Sequence, residues 1–170
     1  VEALLRFSQT QSKPGMDSVN IAAVIYDLFL VNVGRMEEWD ITAEADIDEE
    51  CRVIGNENDL RLALSHLFDN ALMAMKSGGE VRIAIQPIEG GAVGITIADT
   101  GEGMSEEVRL RAFDPFYSTR SSEKHSSGVG LTLVHQIVTE HKGRVVIESV
   151  LDVGTKVSIY LPGAPTLSRS

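Results

Sequence analysis

Cysteine is nearly missing from this chain: Cys51 is the single one in 170 residues. One thiol forms no internal disulfide and has no second thiol with which to share a zinc ion, which fits a reducing, cytoplasmic compartment. Basic charge is also short, with 15 Lys and Arg against 25 Asp and Glu and a formal net charge of −10. No basic stripe is therefore on offer to a nucleic acid or an anionic membrane surface. No window approaches the roughly 20 apolar residues of a membrane span, and no basic-then-apolar leader precedes the first element. The four histidines, His66, His125, His135 and His141, lack metal-ligand spacing. There is no internal repeat and no GxxxxGK[ST] phosphate loop. The GxGxxG fingerprint fails as well, because Leu133 stands where the third glycine would be.

What remains is a chain 43% hydrophobic, enough for one well-buried core. Leu4, Leu5 and Phe7 read as the last turns of an amphipathic helix, and 11–19, with Lys13-Pro14-Gly15, as a linker. The expectation is a piece of a longer protein, whose sensor part or membrane anchor lies elsewhere. Ile21, Val24, Ile25, Leu28 and Val31 predict a helix to about Trp39, then a strand over 41–47 with a short strand over 52–54 closing against it. Asp46, Asp48, Glu49 and Glu50 read as a solvated acidic corner. Leu60, Leu64, Leu67, Phe68, Ala71, Leu72 and Met75 predict an amphipathic helix over 58–76. On its flank His66, Asn70 and Ala74 fall together with Ala63, where small neighbours leave room for a ligand above Asn70.

Val81, Ile83 and Ile85, then Val93, Ile95 and Ile97, predict a hairpin turning at Glu89-Gly90-Gly91. Residues 105–127 show no sustained period beyond a short helix over 109–113, so they read as a lid or binding loop. Gly128-Val129-Gly130-Leu131 opens a further helix, ended by Gly143 as its cap. Strands over 145–150 and 157–161 follow, joined by a glycine turn at 152–155.

Four separated features each admit a bland and a functional reading. Asp99, ending the strand before Thr100-Gly101-Glu102-Gly103-Met104, either caps its turn or accepts a hydrogen bond from an exocyclic amino group in a half-buried pocket, favouring adenine over guanine. Asn70 is either a surface amide or a hard carbonyl ligand for magnesium. Gly128 and Gly130 either cap a helix or present free N–H groups to an anion. Arg120, Lys124 and His125 are either surface charges or groups that swing onto phosphates. For His135 and His141 structural roles are expected.

Taken together, these residues resemble the ATP-binding catalytic domain of sensor histidine kinases, in the GHKL superfamily with gyrase, the Hsp90 chaperone and MutL. Leu67-Phe68-Asp69-Asn70-Ala71-Leu72-Met73-Ala74 resembles its N box, Asp99-Thr100-Gly101-Glu102-Gly103 its DxGxG box and Phe113-Asp114-Pro115-Phe116-Tyr117-Ser118-Thr119 its F box. Gly128-Val129-Gly130-Leu131 resembles the second glycine box, and Gly154-Thr155 the last glycine turn. The resemblance covers about 20–161 in the family's order. It implies the Bergerat fold, an α+β two-layer sandwich with a mixed, mostly antiparallel sheet, helices on one face and a long ATP lid. It divides the chain into 1–19, the tail of an upstream dimerisation helix and linker, 20–162, the ATP-binding catalytic domain, and 163–170, a frayed tail.

The resemblance further implies ATP and Mg2+ as cofactors. Asn70 would bind magnesium; Asp99 would hold the adenine amino group; Gly103 and Met104 would line the base, with Ala74 and Gly101 also among the nucleotide-binding residues. Thr119, Arg120, Lys124, Gly128, Val129, Gly130 and Leu131 would meet the nucleotide from the lid side, and Thr155 would support the water network at adenine. Implied partners are ATP, the protein's own dimerisation and phosphoacceptor helices in a homodimeric parent, and a response regulator.

Three departures stand out. His66 occupies the first N-box position, where relatives carry asparagine or a water-activating glutamate, and a positioning role is expected of it. Met73 replaces a basic residue, which shifts phosphate charge onto the lid. None of the four histidines is followed by an acidic residue, so the accepting histidine is expected upstream and this chain alone should bind ATP without completing phosphorylation. The alternatives are an anti-sigma-type serine kinase and a non-catalytic nucleotide-sensing or interaction module.

Overall fold

The computed structural model describes residues 15–114 and 130–165. In chain order the elements are β1 (Asp17–Asn20), α1 (Ile21–Glu38), β2 (Ile41–Ile47), β3 (Arg52–Gly55), α2 (Glu57–Met73), β4 (Gly79–Ile88), β5 (Ala92–Asp99), α3 (Glu106–Leu110), α4 (Gly130–Glu140), β6 (Arg144–Val150) and β7 (Gly154–Pro162). Five strands form one sheet in the order β2-β4-β5-β7-β6, with β2 parallel to β4 and every other pair antiparallel. The mixed, mostly antiparallel sheet and its helical layer are as expected. The lid expected over 105–127 lies beyond residue 114 outside the described residues.

Alternation fixes the register. Ile83, Ile97, Val157 and Ile147 stand side by side across four strands, and Ile85, Ile95, Ile159 and Val145 form the next row. These rows join the helix side chains in one core; the intervening residues form a polar face. On that face Arg82 pairs with Glu44 at 2.9 Å and with Glu80, and Lys156 pairs with Glu148 at 3.1 Å. The acidic corner is exposed at all four carboxylates.

Asn56 caps α2 by accepting the Asp59 N–H at 3.1 Å, and the stripe from Leu60 to Leu72 is buried as predicted. Phe68, fully buried, meets the Phe29 ring edge-on at 5.4 Å. Ala63 is 1% exposed, so it belongs to the core and does not border the open flank.

His141 has the expected structural role. Its Nδ1 lies 2.7 Å from the Ile137 carbonyl oxygen and its Nε2 accepts the Asn56 N–H at 3.0 Å, tying the end of α4 to the cap of α2. The His135 ring lies 5.2 Å from that of Phe113. No helix of the described residues is long and apolar enough to cross a membrane.

Four local expectations are corrected. β3 pairs with β1, not with β2, because Val19 and Val53 face the core opposite one another. Strand structure therefore begins at Asp17, within the stretch read as linker. The short helix is Glu106–Leu110 instead of 109–113, since Ser105 caps it by accepting the Val108 N–H at 3.3 Å. After α4 the left-handed residue is Lys142 (φ 57°), one before Gly143. Gly143 is required for space, as a Cβ there would lie 2.7 Å from Leu161 and closer still to the Tyr160 carbonyl.

Candidate nucleotide site

Asp99 pairs with Thr155 across β5 and β7, and Thr155 pairs with Ser149 on β6. Three strands thus bring a carboxylate and two hydroxyls to one edge of the sheet. The half-buried Asp99 carboxylate accepts the Gly101 N–H at 2.9 Å, which turns the chain out of β5. A Cβ on Gly101 would stand 2.5 Å from the Ala74 carbonyl oxygen, which accepts the Glu102 N–H at 3.2 Å. The loop after β5 is thereby fixed to the end of α2.

On its other side the loop is fixed to the β6–β7 hairpin. Gly103 sits at φ 63°, and any Cβ there would collide with the Val150 carbonyl. The Asp152 N–H donates to the Glu102 carbonyl at 2.7 Å. Ser149 Oγ accepts the Met104 N–H at 2.8 Å, donates to the Gly154 carbonyl at 3.1 Å and lies 2.8 Å from Thr155 Oγ1. With its only proton spent on Gly154, Ser149 must accept from Thr155.

Between α2, this loop, α4 and the sheet lies a cavity of about 510 Å³, within the usual range for small-molecule sites of about 300–1,000 Å³. Asn70 and Ala74 line it from α2, Asp99 and Thr155 from the strand ends, Gly103 and Met104 from the loop, and Leu131 from α4. Its apolar walls come from Ile97, Ile147, Val157, Leu67 and Val108. The charged lining residues among those described are Asp99, Glu102 and Asp152, all acidic.

Seven of the residues singled out from sequence thus meet at one cavity. Gly101 and Gly130 do not line it: the first packs beneath the wall against Ala74, and the second opens α4 beside His66, whose Nδ1 lies 3.4 Å from where a Gly130 Cβ would be. His66 is half-buried and does not line the cavity either. Thr119, Arg120, Lys124, Gly128 and Val129 lie outside the described residues. Sequence reasoning missed Ser149 and Asp152. The only signal for Ser149 is cross-strand register, which a single sequence does not display, and Asp152 acts through its backbone N–H, which residue type does not announce.

The model for the histidine kinase-, DNA gyrase B-, and HSP90-like ATPase family matches residues 55–165, and the chain belongs to this family. Within it the chain is an ATP-binding catalytic domain of the histidine kinase type. It is 32% identical over 112 residues to the sensor histidine kinase ZraS of Klebsiella oxytoca, covering 66% of this chain and 24% of that protein. It is 33% identical over 168 residues to the heme sensor protein HssS of Staphylococcus saprophyticus, covering 96% of this chain and 36% of HssS. The chain therefore spans about a quarter to a third of the length of these relatives. Among solved structures the mycobacterial sensor histidine kinase MprB matches with a TM-score of 0.76 and 28% identity, over 89% of this chain and 99% of that one. The histidine kinase AdeS of Acinetobacter baumannii shares the fold, with a TM-score of 0.72 at 20% identity, over 96% of this chain and 75% of that one.

Proposed function

We propose that the cavity binds magnesium ATP and that the domain donates the γ-phosphate to a histidine on an upstream dimerisation hairpin, for relay to a response-regulator aspartate. The observation that carries this reading is the meeting of Asn70 and Asp99, separated by a helix end and a hairpin in the sequence, at the wall of one cavity. In this reading the Asp99 carboxylate accepts a hydrogen bond from the adenine amino group, in a position where a guanine carbonyl would repel it. Met104, Ile97, Ile147 and Val157 supply apolar surface to the ring, and Thr155, held by Ser149, keeps its hydroxyl at the same edge.

The lining charges bear on the metal. No described lining residue is basic, so the described wall offers a triphosphate no compensating charge of its own. The donor set fits magnesium, which takes hard oxygen ligands, keeps several waters and is commonly held together with phosphate oxygens. When bound, the ion neutralises phosphate charge. Asn70 offers its side-chain carbonyl from the rigid helix α2. Thr119, Arg120, Lys124 and the Gly128–Leu131 segment are assigned to the lid side of the nucleotide, and His66 to positioning. Catalysis here is placement and charge more than covalent participation by the protein.

The test uses a longer chain with the upstream hairpin and ATP labelled at the γ-phosphate. Acid-labile label on a histidine, lost in Asn70→Ala, is the expected result. Acid-stable label would indicate a serine kinase, and bound ATP with no transfer a nucleotide-sensing module; either overturns the histidine assignment.

A further inference from the structure

Helix α1 is apolar on both sides. Ile21, Val24, Ile25, Leu28 and Met36 fill the core, as one face of a surface helix should. The opposite face should then be polar, yet Leu30 is 74% exposed, Val33 52% and Tyr26 42%. Tyr26 does not need a further partner for its polar end, since its hydroxyl donates to Glu49 at 2.8 Å. No residue of α1 lines the nucleotide cavity, so this stripe has a cause other than the site described above.

The stripe is complementary to itself. Along the outer side run Ala23, Tyr26, Leu30, Gly34 and Glu37, with Tyr26 and Gly34 placed equally on either side of Leu30, and Ala23 and Glu37 equally further out. A second copy laid antiparallel, with the two-fold axis at Leu30, brings each Tyr26 over the other copy's Gly34. There is room, because a Cβ at Gly34 would meet nothing within 4 Å. The same operation carries each Glu37 from the carbonyl end of its own helix, where a carboxylate is disfavoured, to the N–H end of the other. That first turn holds no acidic residue; the exposed Asp27, which mirrors Val33 about Leu30, falls at the rim of the contact and keeps its ion pair with Arg61 at 2.9 Å.

We propose that α1 is a self-association surface, pairing antiparallel with α1 of a second copy of this chain. An isologous contact of this kind uses one patch twice and closes at two copies. A helix of 18 residues is about 27 Å long, so its stripe falls well short of the about 800 Å² per partner of a standard interface. The dimer belongs to the weak, concentration-dependent class. It leaves the nucleotide cavity open on both copies.

Sedimentation velocity on the whole 170-residue chain, from about 10 μM to about 1 mM, reads the outcome. The expected result is a shift from monomer to dimer, with Leu30→Glu weakening association at least about tenfold. Gly34→Leu should weaken it comparably while keeping the melting temperature at or above that of the parent, because the monomer has space for the side chain and leucine favours helix over glycine. Leu30→Cys should yield a disulfide-linked dimer on oxidation, whereas Ala23→Cys, far from its own copy in the antiparallel arrangement, should not. A chain that stays monomeric throughout overturns the proposal and leaves the stripe to a different protein. So does a dimer indifferent to both Leu30→Glu and Gly34→Leu, or equal cross-linking at positions 23 and 30.

Discussion

Strands β5 and β7 run between two glycine-bearing ends that differ in what surrounds the glycines. At the turn between β4 and β5, Gly90 has positive φ and open space around the missing Cβ. At the cavity end, Gly103 also has positive φ, but its missing Cβ points into the Val150 carbonyl. The distal glycine serves only the conformation of a turn; the one at the cavity serves close approach of two backbones. Rigidity at the cavity end comes from this contact and from the Ser149 and Asp152 hydrogen bonds, which together hold the loop that carries Met104.

Substitutions can break that comparison, and Gly103→Ala is expected to do the most. It adds a backbone collision to a strained φ, so we expect a loss of about 3 kcal/mol or more in urea unfolding, together with loss of ATP binding. His141→Ala comes next. It leaves the part-buried Asn56 N–H without its acceptor, a cost of about 1–3 kcal/mol, and because the contact lies at the far end of α4 from Leu131, nucleotide affinity should stay within a few-fold of the parent. Gly90→Ala should cost about 1 kcal/mol, the steric penalty of a left-handed residue with a side chain, and leave affinity unchanged. If Gly90→Ala and Gly103→Ala proved equally damaging, the distinction between the two ends would fail.

The smallest effect concerns pH. Burial, then the Asp48 carboxylate, pushes the Cys51 thiol above its ordinary value. The folded chain therefore holds that proton more tightly than the unfolded one, and the resulting stability is complete below the unfolded thiol's range and lost as pH rises through the folded value. Melting curves at increasing alkaline pH should show this decline in the parent and a shallower one in Cys51→Ala.

Periodicity makes most of the fold legible in the sequence. The alternating strands and the long stripe of α2 announce themselves because burial on one face leaves a repeat in the sequence. β1 is only four residues long, too short for a repeat, and although β3 is legible as a short strand, its pairing with β1 joins positions about 35 residues apart that only the fold brings together. The site divides in the same way. Asp99, Gly103 and Asn70 carry their chemistry in residue type and local pattern. Ser149 and Asp152 act through register and backbone, and so leave no local trace.

The central claim is that Asp99 selects adenine in a cavity whose triphosphate end needs a cation. Calorimetric titration of ATP and GTP into the chain, with and without magnesium, and into Asp99→Asn, tests it most directly. The account predicts binding of ATP with magnesium, much weaker binding without the ion or with GTP, and at least about a hundredfold loss in Asp99→Asn. Undiminished ATP affinity in Asp99→Asn would contradict it.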